Sequence, residues 1–359
     1  MNPCSTQLVD DISRAISPPS EAWRKTALAH IDRLTKPLGS LGRLEELAVQ
    51  IVSIRQEMFS NPVRKGVYIF AADHGITAEG VSAYPREVTH QMVLNFLAQG
   101  AAINVLARLH RAALHVVDVG VDVDFHDLAG LRHHKIAHGT RNMLHEPAMT
   151  DDELARALAV GVQMAACAAS EGHSMIAIGE MGIGNTTAAS AITCALTGAT
   201  ATEATGRGTG VTAEAHARKT TIVQAIGERH FGTMLASSPL EVLRCIGGLE
   251  IAAMAGMMLA GASHRMVVVV DGFISTAAAA LAVAIAPSVR GYLVAGHQSE
   301  EPGHRLLLEH LGLKPLLTLN MRLGEGTGAM LAMPILESAI ALYTQMATFD
   351  SAGVSEATA

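Results

Sequence analysis

The sequence predicts an α/β fold of Rossmann-like type, a mostly parallel sheet joined by crossover helices, with a small helical domain beside it. Three observations carry this expectation. Six apolar runs, at 66–72, 112–117, 174–178, 266–270, 292–295 and 315–319, each finish in glycine together with Asp, Glu, His, Ser or Arg. Helix-length stretches separate most of them, which is the spacing of βαβ units. Of the 359 residues 49% are hydrophobic but only 3% aromatic, so alanine and methionine supply much of the core volume, as where helices pack closely on a sheet.

Charge narrows the range of partners. A formal net charge of −7 and the absence of Lys/Arg runs exclude nucleic acid or an anionic membrane surface as the main partner. An anionic substrate would therefore need a local basic site. The four cysteines, Cys4, Cys167, Cys194 and Cys245, lack CxxC spacing and read as reduced core residues. Residues 1–15 carry early acidic residues and no apolar h-region, so no secretory signal is expected and the cytoplasm is the expected compartment. The uncharged stretch 272–289 approaches membrane-span length, but it is alanine-rich and contains Ser275, Thr276 and Pro287, so a buried helix is the better reading.

In chain order, 1–60 reads as a helical segment that forms a small domain with part of 330–359, and 61–330 as the α/β catalytic domain. Within 20–58 the helical periodicity breaks at Lys36-Pro37-Leu38-Gly39-Ser40-Leu41-Gly42, an inter-helix turn or, alternatively, a basic lip of Lys36 and Arg43 over a site. From residue 66 the strand-like runs alternate with helical stretches at 88–109, 152–169, 186–196, 213–226, 240–259, 275–286, 301–311 and 330–346. In such sheets the ligand crevice lies beyond the carboxyl ends of the strands, so six polar run ends point to one shared site.

The last run end is the most suggestive. In Arg322-Leu323-Gly324-Glu325-Gly326-Thr327-Gly328 a carboxylate sits between two glycines where an extended run gives way to a helix. It has little local structural purpose there and is a candidate general base. The loop Gly179-Glu180-Met181-Gly182-Ile183-Gly184-Asn185-Thr186-Thr187 opens a helix and offers free backbone N–H groups to a phosphate. It is not a P-loop, because Asn185 stands where lysine is needed, and Thr187 occupies the last glycine of GxGxxG. A second loop, Gly206-Arg207-Gly208-Thr209-Gly210, precedes a helix with Lys219 and could supply local positive charge, or be a surface turn. Histidines number 17, but His145-Glu146 has Met149 where HExxH needs its second histidine, so no metal is expected.

Lys36–Gly42, Ala72-Asp73-His74-Gly75, Gly80-Val81-Ser82-Ala83-Tyr84-Pro85, Gly179–Thr187, Asp271-Gly272-Phe273-Ile274, Glu301-Pro302-Gly303-His304 and Arg322–Gly328 together resemble the nicotinate-nucleotide–dimethylbenzimidazole phosphoribosyltransferases, over about residues 20 to 345. The resemblance implies transfer of phosphoribose from nicotinate mononucleotide to 5,6-dimethylbenzimidazole, giving α-ribazole 5′-phosphate and nicotinate for the lower ligand of cobalamin. By it, Glu325 is the general base, and Gly182, Ile183, Gly184, Ser299 and Arg322 hold phosphate and ribose. Glu180, Lys219 and Asp271 line the site, and Ser82, Tyr84 and Gln91 border the aromatic base. The resemblance also implies a homodimer and, with no paired acids before a Thr-Gly phosphate loop, no obligatory metal or cofactor. Two other readings stay open on the residues alone: a base-exchange enzyme with another acceptor, and a non-catalytic nucleotide- or benzimidazole-binding protein.

Overall fold

A computed structural model describes residues 3–58, 63–126, 128–208, 210, 212–232 and 238–355, with side chains from Gln7. Its centre is a six-stranded sheet, parallel throughout, of β1 Lys65–Ala72, β2 Ala113–Gly120, β3 Leu131–His133, β4 Met175–Met181, β5 Val267–Val270 and β6 Leu293–Ala295. Every residue of β1 is buried, as expected of a strand covered on both faces, and its continuous apolar run made it legible. The strand order is β3-β2-β1-β4-β5-β6. The chain winds outward from β1 to β3, then returns to lay β4 on the other side of β1. Polar residues follow the carboxyl ends of β4 and β5, next to this reversal.

The sequence-based expectation needs four corrections. Strand β3, Leu-Arg-His, lacks an apolar run and gave no signal. The run 315–319 does not join the main sheet; only β8 Leu317–Thr318 is extended, and it pairs with β7 His297–Gln298 in a separate ribbon. The stretch 88–109 is two helices, Val88–Leu97 and Ala102–Leu109, divided by Gln99 at φ 61° and Gly100. Likewise 240–259 divides at Gly247-Gly248 into Pro239–Ile246 and Leu249–Ser263.

Helix Leu249–Ser263 is buried from Leu249 to Ala262 and runs against Asp151–Ser170. The backbones nearly touch: a Cβ on Gly161 would stand 1.9 Å from the Ala253 carbonyl oxygen, and one on Gly256 2.2 Å from that of Leu158. Small residues are thus what lets these helices close on each other. The stretch 272–289 holds the buried helix Phe273–Ile285, followed by a short 3-10 turn. Cys194 and Cys245 are buried free thiols and Cys167 is half-buried.

At the amino terminus, helix Pro3–Ala15 packs on Asp151–Ser170 and Leu249–Ser263. Helices Glu21–Asp32 and Arg43–Arg55 pack together, and the second also meets Thr327–Gln345, while Leu34 bridges to Thr348. The segment between them is an inter-helix turn. Lys36 is buried in an ion pair with Glu45 at 2.9 Å and Arg43 pairs with Glu46, so neither offers a free charge as a basic lip.

Candidate active site

A cavity of about 320 Å³ opens at the carboxyl ends of β4, β5 and the β7–β8 ribbon. Apolar β4 must end where polar groups begin, and it ends in Glu180, Met181 and Gly182; the chain then turns at Gly184, φ 97°, into helix Asn185–Thr197. Apolar β5 ends in Asp271 and Gly272 before helix Phe273–Ile285. After β8, residues 319–326 lead into helix Thr327–Gln345.

Glu325 lies in the left-handed region at φ 61°, between Gly324 at 82° and Gly326 at 80°. For a residue with a Cβ this costs on the order of 1 kcal/mol and persists where surrounding structure enforces it. Its backbone lies on Gly179 of β4, where a Cβ would come within 2.6 Å of the Glu325 carbonyl carbon. The side chain is 6% exposed and Oε2 has no hydrogen-bond partner. Burial, helped by the charge of Asp271, pushes the Glu325 carboxyl up to about 7. A carboxyl with that affinity, one oxygen unpartnered and its chain neighbour Gly324 in the cavity lining, is suited to accept a proton near neutrality.

Glu180 is beside it. Asn185 Nδ2 donates to its Oε2, and a Cβ on Gly324 would stand 2.4 Å from its Oε1. Burial first, then the charges of Asp271 and Glu250, push it up to about 8. Beneath Gly182, His74 Nε2 and Glu250 Oε1 form a fully buried pair at 2.6 Å.

The opposite end is basic. Lys219 Nζ donates to Thr186 Oγ1 at 2.8 Å, and burial draws its pKa down to about 8 against the opposing pull of Glu301. Arg322 Nη1 donates to the Gly208 carbonyl at 2.9 Å, and a Cβ on Gly208 would stand 2.9 Å from Thr186 Oγ1. The two glycine loops and the last segment therefore meet, and supply the local positive charge that the acidic chain lacks as a whole. Thr209 and Val211 of the second loop lie outside the described residues. The N–H of Ile183 is already taken by Thr89 Oγ1 at 3.0 Å, so the anion is left to the other donors.

Glu180, Gly182, Ile183, Asp271, Ser299, Arg322 and Tyr84 line the cavity. Gly184 caps the helix just behind Ile183, Lys219 reaches the wall through Thr186, and Glu325 borders it beside Gly324. Ser82 Oγ accepts the Tyr84 N–H at 3.2 Å, whereas Gln91 is exposed on helix Val88–Leu97, away from the lining. Sequence reasoning assigned no site role to Thr186, Asn185, His297 or Glu301, all of which line the cavity. His304, quoted only as part of a motif, gained its role here: its Nδ1 accepts the Ser299 N–H at 2.9 Å, which leaves the ring proton on Nε2 for Thr276 Oγ1 at 2.9 Å. Glu250 had a usable signal, as the lone acid in the apolar helix Leu249–Ser263.

Among the described residues, His115, Glu171 and His173 have the spacing of metal ligands, at the amino ends of the strands and remote from the cavity. Arg132 Nη2 donates to His115 Nδ1 at 3.0 Å and to Glu171 Oε1 at 3.1 Å. That places the His115 proton on Nε2, the atom a cation would require, so Arg132 supplies the positive charge of this group.

A cavity beyond the carboxyl ends of a parallel sheet, with buried carboxyls on one side and Lys219 and Arg322 on the other, is the arrangement of an α/β enzyme acting on a small molecule. Residues 16–354 match a family model described as phosphoribosyltransferase. Curated relatives include the nicotinate-nucleotide–dimethylbenzimidazole phosphoribosyltransferase of Geobacter sulfurreducens, 49% identical over 98% of this chain and 99% of that protein. That of Ralstonia nicotianae is 51% identical over 91% and 92%. The crystal structure of CobT from Thermus thermophilus superposes with a TM-score of 0.89 at 48% identity, covering 94% of this chain and all of that one. The chain belongs to the nicotinate-nucleotide–dimethylbenzimidazole phosphoribosyltransferase family.

Proposed function

We propose that this enzyme transfers phosphoribose from nicotinate mononucleotide to 5,6-dimethylbenzimidazole, giving α-ribazole 5′-phosphate and nicotinate, with Glu325 as general base. The observation that carries the proposal is Glu325 itself, buried beside the cavity with Oε2 unpartnered and its affinity raised to about 7. The acceptor azole must lose its ring N–H as a ring nitrogen bonds to C1′, while nicotinate leaves a carbon of oxocarbenium character. A base that is half-ionised near neutrality takes that proton at least cost. Lys219, Thr186 and Arg322 are suited to the 5′-phosphate, and the neutral form of Glu180 to a ribose hydroxyl, since a carboxylate there would repel the phosphate. Attack on the face opposite to the departing base inverts C1′, so a β-nucleotide yields an α-product without a covalent enzyme intermediate. The cavity volume, about 320 Å³, lies in the range of small-molecule sites.

The test is incubation with nicotinate mononucleotide and a panel of benzimidazoles and purines, with products identified by mass and the anomeric configuration by NMR. An α-linked dimethylbenzimidazole nucleotide is expected. Exclusive transfer to purines would favour another base-exchange enzyme, and binding without product a non-catalytic protein. A homodimer, the state the family resemblance implies, is to be checked by light scattering.

A further inference from the structure

Asp271 ends β5 in the cavity wall and is 2% exposed. Both of its carboxylate oxygens are engaged by backbone. Oδ2 accepts the N–H of Gly326 at 3.1 Å and Oδ1 that of Ala329 at 2.9 Å. These amides open helix Thr327–Gln345, whose N-cap residue, Gly326, has no side chain to do the capping. An acid 55 residues earlier in the chain does it instead. The residue immediately before that clamp is Glu325, the middle of three successive left-handed residues.

We infer that Asp271 is a positioning residue, whose grip on Gly326 and Ala329 holds the left-handed turn that fixes Glu325 beside the cavity. The inference rests on the reading of Glu325 as base. The surroundings of Asp271 agree with a fixed structural part. The ring of His297 stands beside it with Nε2 3.9 Å from Oδ1, in a slot between glycines, where a Cβ on Gly328 would come within 1.9 Å of Cδ2 and one on Gly272 within 3.2 Å of Nε2. Ser275 Oγ, which accepts the Asp271 N–H at 3.3 Å, is itself tied to the Ile178 carbonyl at 3.0 Å and so links β5 to β4. The titratable and charged groups around the turn are Asp271 from β5, Glu180 from β4 with Glu250 behind it, His297 from β7, and Arg322 in the segment itself. Of these, Asp271 is the one whose charge raises Glu325.

Asp271→Asn keeps the volume and removes the charge and one acceptor. The expected result is a fall in kcat of about ten- to a hundredfold, the worth of a hydrogen bond to a charged group. The KM for nicotinate mononucleotide should hold within about twofold, because both oxygens of Asp271 are taken by backbone amides and not by a substrate. The acid limb of the rate profile should move to lower pH, and the Gly326 and Ala329 amides should exchange faster in the free protein. The double variant Glu325→Gln/Asp271→Asn should be no slower than Glu325→Gln alone. A raised KM at unchanged kcat, an unmoved acid limb, or additive losses in the double variant would overturn the inference. Wild-type turnover of Glu325→Gln would instead overturn the base assignment, whereas amide exchange, read without substrate, tests the clamp independently.

Discussion

In the proposed mechanism Glu325 sets the pH dependence of the reaction. Its carboxyl is held at about 7, where an ordinary glutamate sits at 4.5, because it is buried and faces Asp271. A base must be ionised to act, so roughly one enzyme in eleven is competent at pH 6 and roughly ten in eleven at pH 8, for a single group of that affinity. The profile of kcat/KM should thus fall about tenfold per pH unit below 7 and level off above it. Glu180 lies close enough to couple, so the limb reports an apparent value for the pair. Glu325→Gln removes the proton acceptor and retains the shape, and should lower kcat by about 10²- to 10⁴-fold, or roughly 3–5 kcal/mol of barrier, while both substrates still bind. The assay is steady-state product formation from pH 5 to 9, repeated with an acceptor of different ring basicity. A limb that moves with the acceptor belongs to the acceptor; one that stays belongs to the enzyme. A flat profile, or wild-type turnover of the glutamine variant, would refute the reasoning.

Other consequences follow from the same geometry. Gly184→Val places a β-branched residue at φ 97° with its Cβ 2.9 Å from Thr77 Cγ2, so it should weaken nucleotide binding by about 1–2 kcal/mol and benzimidazole binding less; equal losses in calorimetry would count against the loop's role. Lys219→Met should raise the KM for the mononucleotide about tenfold or more through loss of a charge-assisted contact, with acceptor affinity unchanged; an unaltered KM would remove Lys219 from the phosphate site. Glu180, raised to about 8, keeps in the native state a proton that the unfolded chain has released above about 4.5, so stability declines as pH rises between those values. Glu180→Gln should therefore stabilise by on the order of 1 kcal/mol or more at pH 8 and little at pH 5, and an equal shift in melting temperature at both would contradict the raised value.

Fully buried strands announced themselves. β1, β4 and β5 are covered on both faces, so apolarity is continuous along them and their ends are marked by the first polar residue. Glu325 stood out for the same kind of local reason, as a charged residue confined between glycines. What was illegible lacked a local cause. β3 exists because β2 offers it an edge, and 315–319 meets the sheet only at the end of β6, where Leu316 donates to the Ala295 carbonyl at 3.0 Å before the chain pairs with His297-Gln298.

By itself, then, the sequence determined the fold class, the alternation of elements and the residues able to carry the chemistry, because periodicity and glycine placement act over a few neighbouring residues. Only the tertiary structure decided which of those residues work together. Lys219 reaches Thr186 across 33 residues of chain, Arg322 reaches Gly208 across 114, and Asp271 grips the turn after Glu325 across 55. Such meetings follow from strand order and not from chain order. The raised affinities of Glu180 and Glu325 likewise come from loss of water around groups that the fold crowds together, a cost that has no counterpart in any short stretch of the chain.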